Sequence, residues 1–329
     1  MPQKFSNRRA FLGAMASLPF IGTTSSAIAE AQYPSRPIRF IVAFPPGGGN
    51  DFLARLIASK IGELRGWNVV VNNIPGAGGV QGTAALARAE PDGYTFGMGS
   101  IGTLSINPSL YKKLPFDTSK DLAPISLFSR TPAALVVPAD LPIHSLAELI
   151  ATAKAHPGKL NFGSAGNGTS HHLAAELFAH RANIKIVHVP YAGSSPAVTG
   201  LIRSDTQMMF ADLPAVLPMI RAGKLRALAV TSRGRSALLP DVPAVNELLP
   251  GFEVSVWYAI VAPAHTPPSI IKTLNQAVRD VGALPEVGQR LAEEGAVIEV
   301  TSPEEFGLFL QSEIKRWAEV IRDAKITQQ

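Results

Sequence analysis

Ile38-Arg39-Phe40-Ile41-Val42-Ala43-Phe44-Pro45-Pro46-Gly47-Gly48-Gly49-Asn50-Asp51-Phe52-Leu53-Ala54-Arg55-Leu56-Ile57 joins three signals in one stretch. The apolar run from Ile38 to Phe44 reads as a buried strand, and two prolines and three glycines then break it. Phe52, Leu53, Leu56, Ile57, Ile61 and Leu64 follow at helical spacing, with Asn50 or Asp51 placed to cap the helix start. Strand, glycine turn and helix in that order are the unit of an α/β protein with mostly parallel strands.

The alternation continues outward from that unit. Strands are expected at Asn68 to Val71, Tyr94 to Met98, Leu160 to Gly163, Ile186 to Val189, Gln207 to Phe210 and Leu225 to Thr231, each alternating with a helix-like segment. Two capping boxes, Ser145 with Glu148 and Ser302 with Glu305, mark further helix starts. Five strand-to-helix junctions carry Gly, Ser or Thr: Gly47–Gly49, Gly76–Gly79, Gly99–Thr103, Gly163–Thr169 and Tyr191–Ser195. In open parallel sheets ligands sit beyond the carboxyl ends of the strands, where these junctions gather. None of the five contains Lys or Arg, so an anion bound there is held by backbone N–H groups and hydroxyls.

The chain has 329 residues, 46% hydrophobic and 17% charged, enough for two domains with their own cores. It has no cysteine, which excludes disulfides, thiolate zinc sites, a cysteine nucleophile and a lipid-bearing cysteine. Thirty basic and 25 acidic residues give +5, but three of the basic ones lie in the first 29 residues. There, Lys4, Arg8 and Arg9 precede an apolar stretch from Ala10 to Ile21 and an Ala27-Ile28-Ala29 cleavage site, the order of a signal peptide. Ser6 to Leu12 is also similar to a twin-arginine signal, with Asn7 and Gly13 departing from it, so twin-arginine and general secretory export both stay open. Cleavage after Ala29 leaves 27 basic against 25 acidic residues, a charge of +2, and removes support for nucleic-acid binding.

Catalytic and metal readings find little support. Gly97 to Gly102 satisfies G-x-G-x-x-G, yet Asn107-Pro108 is expected to interrupt the helix it should open. There is no P-loop, no G-x-S-x-G and no H-E-x-x-H. His171-His172 and His180 lack an evident third ligand, and Asp51 and Asp212 are placed as helix caps as much as acids.

From Tyr33 to Ile326 the chain resembles the Bug-type solute-binding receptors of tripartite tricarboxylate transporters. The resemblance is carried by Phe44-Pro45-Pro46-Gly47-Gly48-Gly49-x-Asp51, Pro75-Gly76-Ala77-Gly78-Gly79 and Pro91-Asp92-Gly93-Tyr94-Thr95. It continues through Phe162-Gly163-Ser164-Ala165-Gly166-x-Gly168-Thr169, His172-Leu173-Ala174-x-Glu176-Leu177-Phe178, Val189-Pro190-Tyr191, Gly223 to Thr231 and Trp257-Tyr258. It implies a periplasmic binding protein of type II, a Venus-flytrap of two α/β lobes with mixed sheets flanked by helices and joined by two hinge strands. Lobe 1 would comprise residues 31–129 and 257–329, lobe 2 residues 130–256, with crossings near Ser126 to Val137 and Ser255 to Pro263.

The resemblance further implies a small carboxylated solute closed between the lobes. Phe44, Gly47, Gly48, Asp51, Gly78 and Ser100 would form one wall, and Ser164, Gly166, Thr169, His172, Tyr191 and Asp212 the other. No enzyme activity, cofactor or metal is implied. The partners would be transporter membrane subunits, or alternatively a sensor protein, for a freely diffusing monomer in a Gram-negative periplasm. An exported cofactor-dependent enzyme is the reading from another class. Two departures stand out: Ile74 replaces a basic residue before Pro-Gly-Ala-Gly-Gly, and Gly200 to Ser204 replaces Asp-Leu-x-Gly-Gly on what reads as a surface turn.

Overall fold

The computed structural model describes residues 33–327, so the signal-peptide reading lies outside the described residues. Ten strands are described: β1 (Ile38–Val42), β2 (Val69–Asn73), β3 (Thr95–Ser100), β4 (Leu122–Pro138), β5 (Asn161–Ser164), β6 (Val187–Pro190), β7 (Met208–Asp212), β8 (Leu225–Val230), β9 (Ser255–Pro263) and β10 (Val297–Ile298). Most begin or end one or two residues from their expected bounds.

The strands form two sheets that share β4. In the first, β1 lies parallel between β2 and β3, β3 runs antiparallel to β9, and β9 runs antiparallel to the Leu122–Pro132 part of β4. In the second, Ala133 onward pairs antiparallel with β7 and β8, while β5 lies parallel between β6 and β7. The expectation of mostly parallel strands is corrected here, because the two long strands that cross the molecule are antiparallel to every neighbour. Continuous apolar runs such as Phe40, Ile41 and Val42 are buried because helices cover both sheet faces. Phe40 and Phe96 meet at 4.4 Å between ring centroids, and Trp257 donates its indole N–H to Glu313 at 2.8 Å inside the core.

The crossing is at Pro132 and Ala133, where pairing passes from β9 to β7 and β8. Thr231, fully buried, ties the two crossing segments together. Its N–H donates to the Ala133 carbonyl, and its hydroxyl accepts from the Ala133 N–H at 2.9 Å and donates to the Val254 carbonyl at 2.6 Å.

Three local expectations change. The first helix, Gly49–Arg65, has Gly48 as its N-cap with no side-chain cap, so neither Asn50 nor Asp51 caps it. Ser302 and Glu305 form a reciprocal capping box, whereas Glu148 passes over Ser145 to accept from the His144 N–H. Asn107-Pro108 does not stop the chain's turning: a π-helical turn over Gly102–Ile106 runs into a short helix, Asn107–Leu110, with Pro108 in its tolerant first turn.

Candidate functional site

Loops leaving the carboxyl ends of β1, β3, β5, β6 and β7 border a cavity between the two sheets, whose empty space, open solvent included, is about 510 Å³. Phe44, Gly48, Gly49, Asn50 and Ser100 line it from the first sheet, and Ala165, Thr169, His171, Ser194, Ser195 and Asp212 from the second. Tyr258 reaches it from β9. No lysine or arginine is among these lining residues.

Three helices present their N-terminal ends to the cavity. Gly49–Arg65 and Ser194–Ile202 start from glycine N-caps, Gly48 and Gly193, that make no side-chain cap bond. Ser170–Ala182 starts from Thr169, whose hydroxyl turns back on its own helix. First-turn N–H groups have no intrahelical acceptor and carry the positive end of the helix dipole, so uncapped ends facing one cavity suit an anion.

The expected site residues fall into three layers. Phe44, Gly48, Ser100, Thr169 and Asp212 line this cavity, while Gly78, Gly166 and Tyr191 line an adjoining space that shares Phe44 and Ala165 with it. Gly47 lies at the edge, where an added Cβ would stand 3.1 Å from Ser195 Oγ. Asp51, Ser164 and His172 stand behind the surface.

Asp51 holds the glycine turn in shape. Its carboxylate accepts from the Gly47 N–H at 3.0 Å, from Asn73 at 2.9 Å and from Arg55 at 3.0 Å. Burial pushes this carboxyl up, but those three donors outweigh it and hold it below the usual range.

Ser164 Oγ accepts from the Gly166 N–H at 3.0 Å and lies 2.6 Å from His188 Nε2. His188 stacks on His172 at 4.1 Å and on Phe162 at 4.8 Å. His172 accepts the Gly168 N–H on Nδ1 at 3.2 Å, which shapes the turn before Thr169. Burial, with His172 adding to it, lowers the His188 pKa from 6.5 to about 3, so the His188 ring is held neutral.

Asp212 joins the two sheets' walls. One oxygen accepts from His171 Nε2 at 3.1 Å, and the other accepts a short bond from the Tyr258 hydroxyl. Burial pushes the carboxyl up, yet His171 and the two hydrogen bonds more than offset this and keep it below its ordinary range. The Tyr258 hydroxyl is raised well above its own range by burial and by the Asp212 charge. Gly49 passes so close that a Cβ would meet Tyr258 Oη at 2.4 Å.

Neither His171 nor Tyr258 is among the expected wall residues, although a cleft-lining histidine is one reading of the His171-His172 pair. His171 differs from its neighbour His172 only in facing the cavity, and Tyr258 comes from an antiparallel strand that has no glycine junction to flag it.

The walls are in contact across the cleft. Tyr111 donates to the carbonyls of Ala77 at 3.1 Å and Asn167 at 3.2 Å. A Cβ on Gly78 would fall 1.9 Å from the Asn167 carbonyl, and one on Gly193 would fall 2.8 Å from Pro45. The Gly200 to Ser204 stretch is corrected in part: Gly200 is buried in the Ser194–Ile202 helix beneath the Tyr191 ring, while Arg203 and Ser204 form the expected exposed turn.

Among the described residues no helix is long and apolar enough to cross a membrane, and no cluster of three or more His, Asp or Glu is arranged to hold a metal. Residues 53–326 match the family model described as Tripartite tricarboxylate transporter family receptor. Protein BugT of Bordetella pertussis is 40% identical over 308 residues, covering 92% of this chain and 94% of its own. A solved R. palustris protein with adipate superposes with a TM-score of 0.87 at 34% identity, covering 90% of this chain and 99% of that one. MatC from Rhodopseudomonas palustris with bound malate gives a TM-score of 0.84 at 31% identity, covering 88% and 100%. Two sheets sharing a crossing strand, a cavity between them and these matches place the fold among the two-lobe periplasmic binding proteins, and the chain belongs to the Bug-type receptors of the tripartite tricarboxylate transporter family.

Proposed function

We propose that this protein is a periplasmic receptor that closes on a small carboxylate-bearing solute and delivers it to transporter membrane subunits. The observation that carries the reading is the pair of glycine-capped helix ends, at Gly48 and Gly193, facing one lysine- and arginine-free cavity. Backbone donors there bind a carboxylate without an ion pair, leaving the solute free to depart when the cleft opens. The adipate and malate in the related solved structures support the same ligand class.

In this reading residues 31–129 and 257–329 act as one lobe and 130–256 as the other. Phe44, Gly47, Gly48, Gly78 and Ser100 face Gly166, Thr169, Tyr191 and Asp212 across the ligand, while Asp51, Ser164 and His172 hold the loops in place. The N-terminal segment directs export, and the receptor works without a catalytic step.

Thermal melting of refolded, ligand-free protein against mono-, di- and tricarboxylates tests this. A cognate ligand at 100 times its Kd stabilises the fold by about 2.7 kcal/mol. Absence of a saturable shift across the whole set would sink the proposal.

A further inference from the structure

Three polar side-chain atoms on the cavity's lining residues are buried without a hydrogen-bond partner: Asn50 Oδ1, His171 Nδ1 and Ser194 Oγ. Each belongs to the first turn of a different helix, and the helices come from both walls. Buried polar atoms normally find partners, and three orphans on one cavity mark what an occupant must supply.

His171 is the most constrained of the three. The groups facing its ring are Asp212, from the end of β7, and Tyr258, from β9, which shares the same carboxylate. The Asp212 carboxylate can only accept, so His171 Nε2 carries the proton. In a neutral ring Nδ1 is then a lone pair. Nδ1 has no protein partner in a side chain only 4% exposed, so pairing with it falls to an occupant of the cavity.

The side-chain complement of the cavity is thus rich in acceptors: the Asp212 carboxylate, His171 Nδ1, Asn50 Oδ1 and the two-way Ser194 hydroxyl. Its donors are the backbone N–H groups at the helix ends, the Asn50 amide NH2 and the hydroxyls of Ser100, Ser194 and Ser195. We propose that His171, positioned by Asp212, is the specificity-determining side chain, and that the ligand is a carboxylate bearing a separate hydrogen-bond donor such as a hydroxyl, amide or ammonium group.

This rests on the carboxylate-receptor reading and narrows it. A plain dicarboxylate would place its second charge against an acceptor-lined, negatively charged wall, and an alkanoate would leave the orphans unpaired. Sites built to pair with a ligand hydrogen-bonding group reject analogues that lack it, because their buried polar atoms then stay unsatisfied.

Matched ligand sets of three to six carbons test the proposal by calorimetry on the mature chain. For the four-carbon set, 4-hydroxybutyrate, 4-aminobutyrate and succinamate are compared with succinate and butyrate; hydroxybenzoates are compared with benzoate and isophthalate as the aromatic set. We expect at least one donor-bearing ligand to bind about tenfold or more tighter than both its dicarboxylate and its unsubstituted counterpart. His171→Phe should shrink that preference to about threefold or less, and His171→Gln, which keeps an acceptor, should retain part of it. Melting curves verify that both variants fold. If dicarboxylates bind tightest, with buffer-dependent heats showing proton uptake, the ring is a charged donor and the proposal is overturned. Carboxylates that bind without any donor preference overturn it while leaving the receptor reading intact. Carboxylates that do not bind at all overturn both.

Discussion

His188 is a weak base made weaker by its place in the fold, buried against the rings of Phe162 and His172. Its folded-state pKa of about 3 lies below the ordinary value of 6.5, so the unfolded chain binds a proton more readily than the native one. The sign follows from linkage: stability contributed by the neutral ring is complete above pH 6.5 and is lost as pH falls toward 3, at no more than about 1.4 kcal/mol per pH unit. His188→Gln, which keeps a hydrogen-bonding group near Ser164, should flatten the fall of the urea midpoint between pH 6 and 4; equal slopes in the two proteins would refute the assignment. The sequence could not disclose this stack, because His172 and His188 come from different elements and only the fold brings them together. Asp212, by contrast, was legible as a polar residue at a strand end. Its partners were not: His171 needs a helix phase, and Tyr258 a strand pairing, to reach it.

Glycine-rich strand ends were the readable elements, because a turn that must admit a ligand leaves its composition in the chain. The antiparallel insertion of β4 and β9 was harder to read, since buried strands are uniformly apolar whichever way their neighbours run. The caps at Ser145 and Ser302 were readable because a hydroxyl three residues before a carboxylate has a local meaning. The bare glycine cap of Gly49–Arg65 was masked by Asn50 and Asp51, whose side chains serve the cavity and the Gly47 turn instead. Contact between elements across the cleft gives a test of closure. Gly78, at φ 61°, sits against the Asn167 backbone, where a Cβ has no room. We expect Gly78→Ala to cost about 1 kcal/mol or more of stability from backbone strain and to weaken ligand binding much more than that strain accounts for, because the clash exists only in the closed form. Calorimetry and melting curves measure the two effects separately; affinity equal to that of the parent would mean that closure does not bring these loops together.

At the scale of the whole molecule, the wall formed by Gly48, Gly49, Asp212 and Tyr258 is shared by two spaces. The ligand cavity lies on one side, and a second space, about 760 Å³ with open solvent included, lies on the other, lined by Phe52 and Leu291 on the first sheet's helices and by Pro214, Ala215 and Pro218 on the second's. Ser129 and Thr131 of β4, next to the crossing, also border it. In the closure proposed above, lobes turning about that crossing would narrow the rear space as they part at the front. Filling it should therefore resist opening and leave closing untouched. Ala215→Trp places a large apolar side chain among Phe52, Leu291 and Pro218 without touching the front cavity. If it favours the closed form by about 1.4 kcal/mol, the closed population of the ligand-free protein rises about tenfold while it remains the minor state, and the apparent Kd falls by the same factor. Small-angle scattering should show a smaller radius of gyration for the ligand-free variant than for the parent, with the liganded forms alike. A variant that folds normally, scatters like the parent when empty and binds no tighter would place the pivot elsewhere than at Pro132 and Ala133.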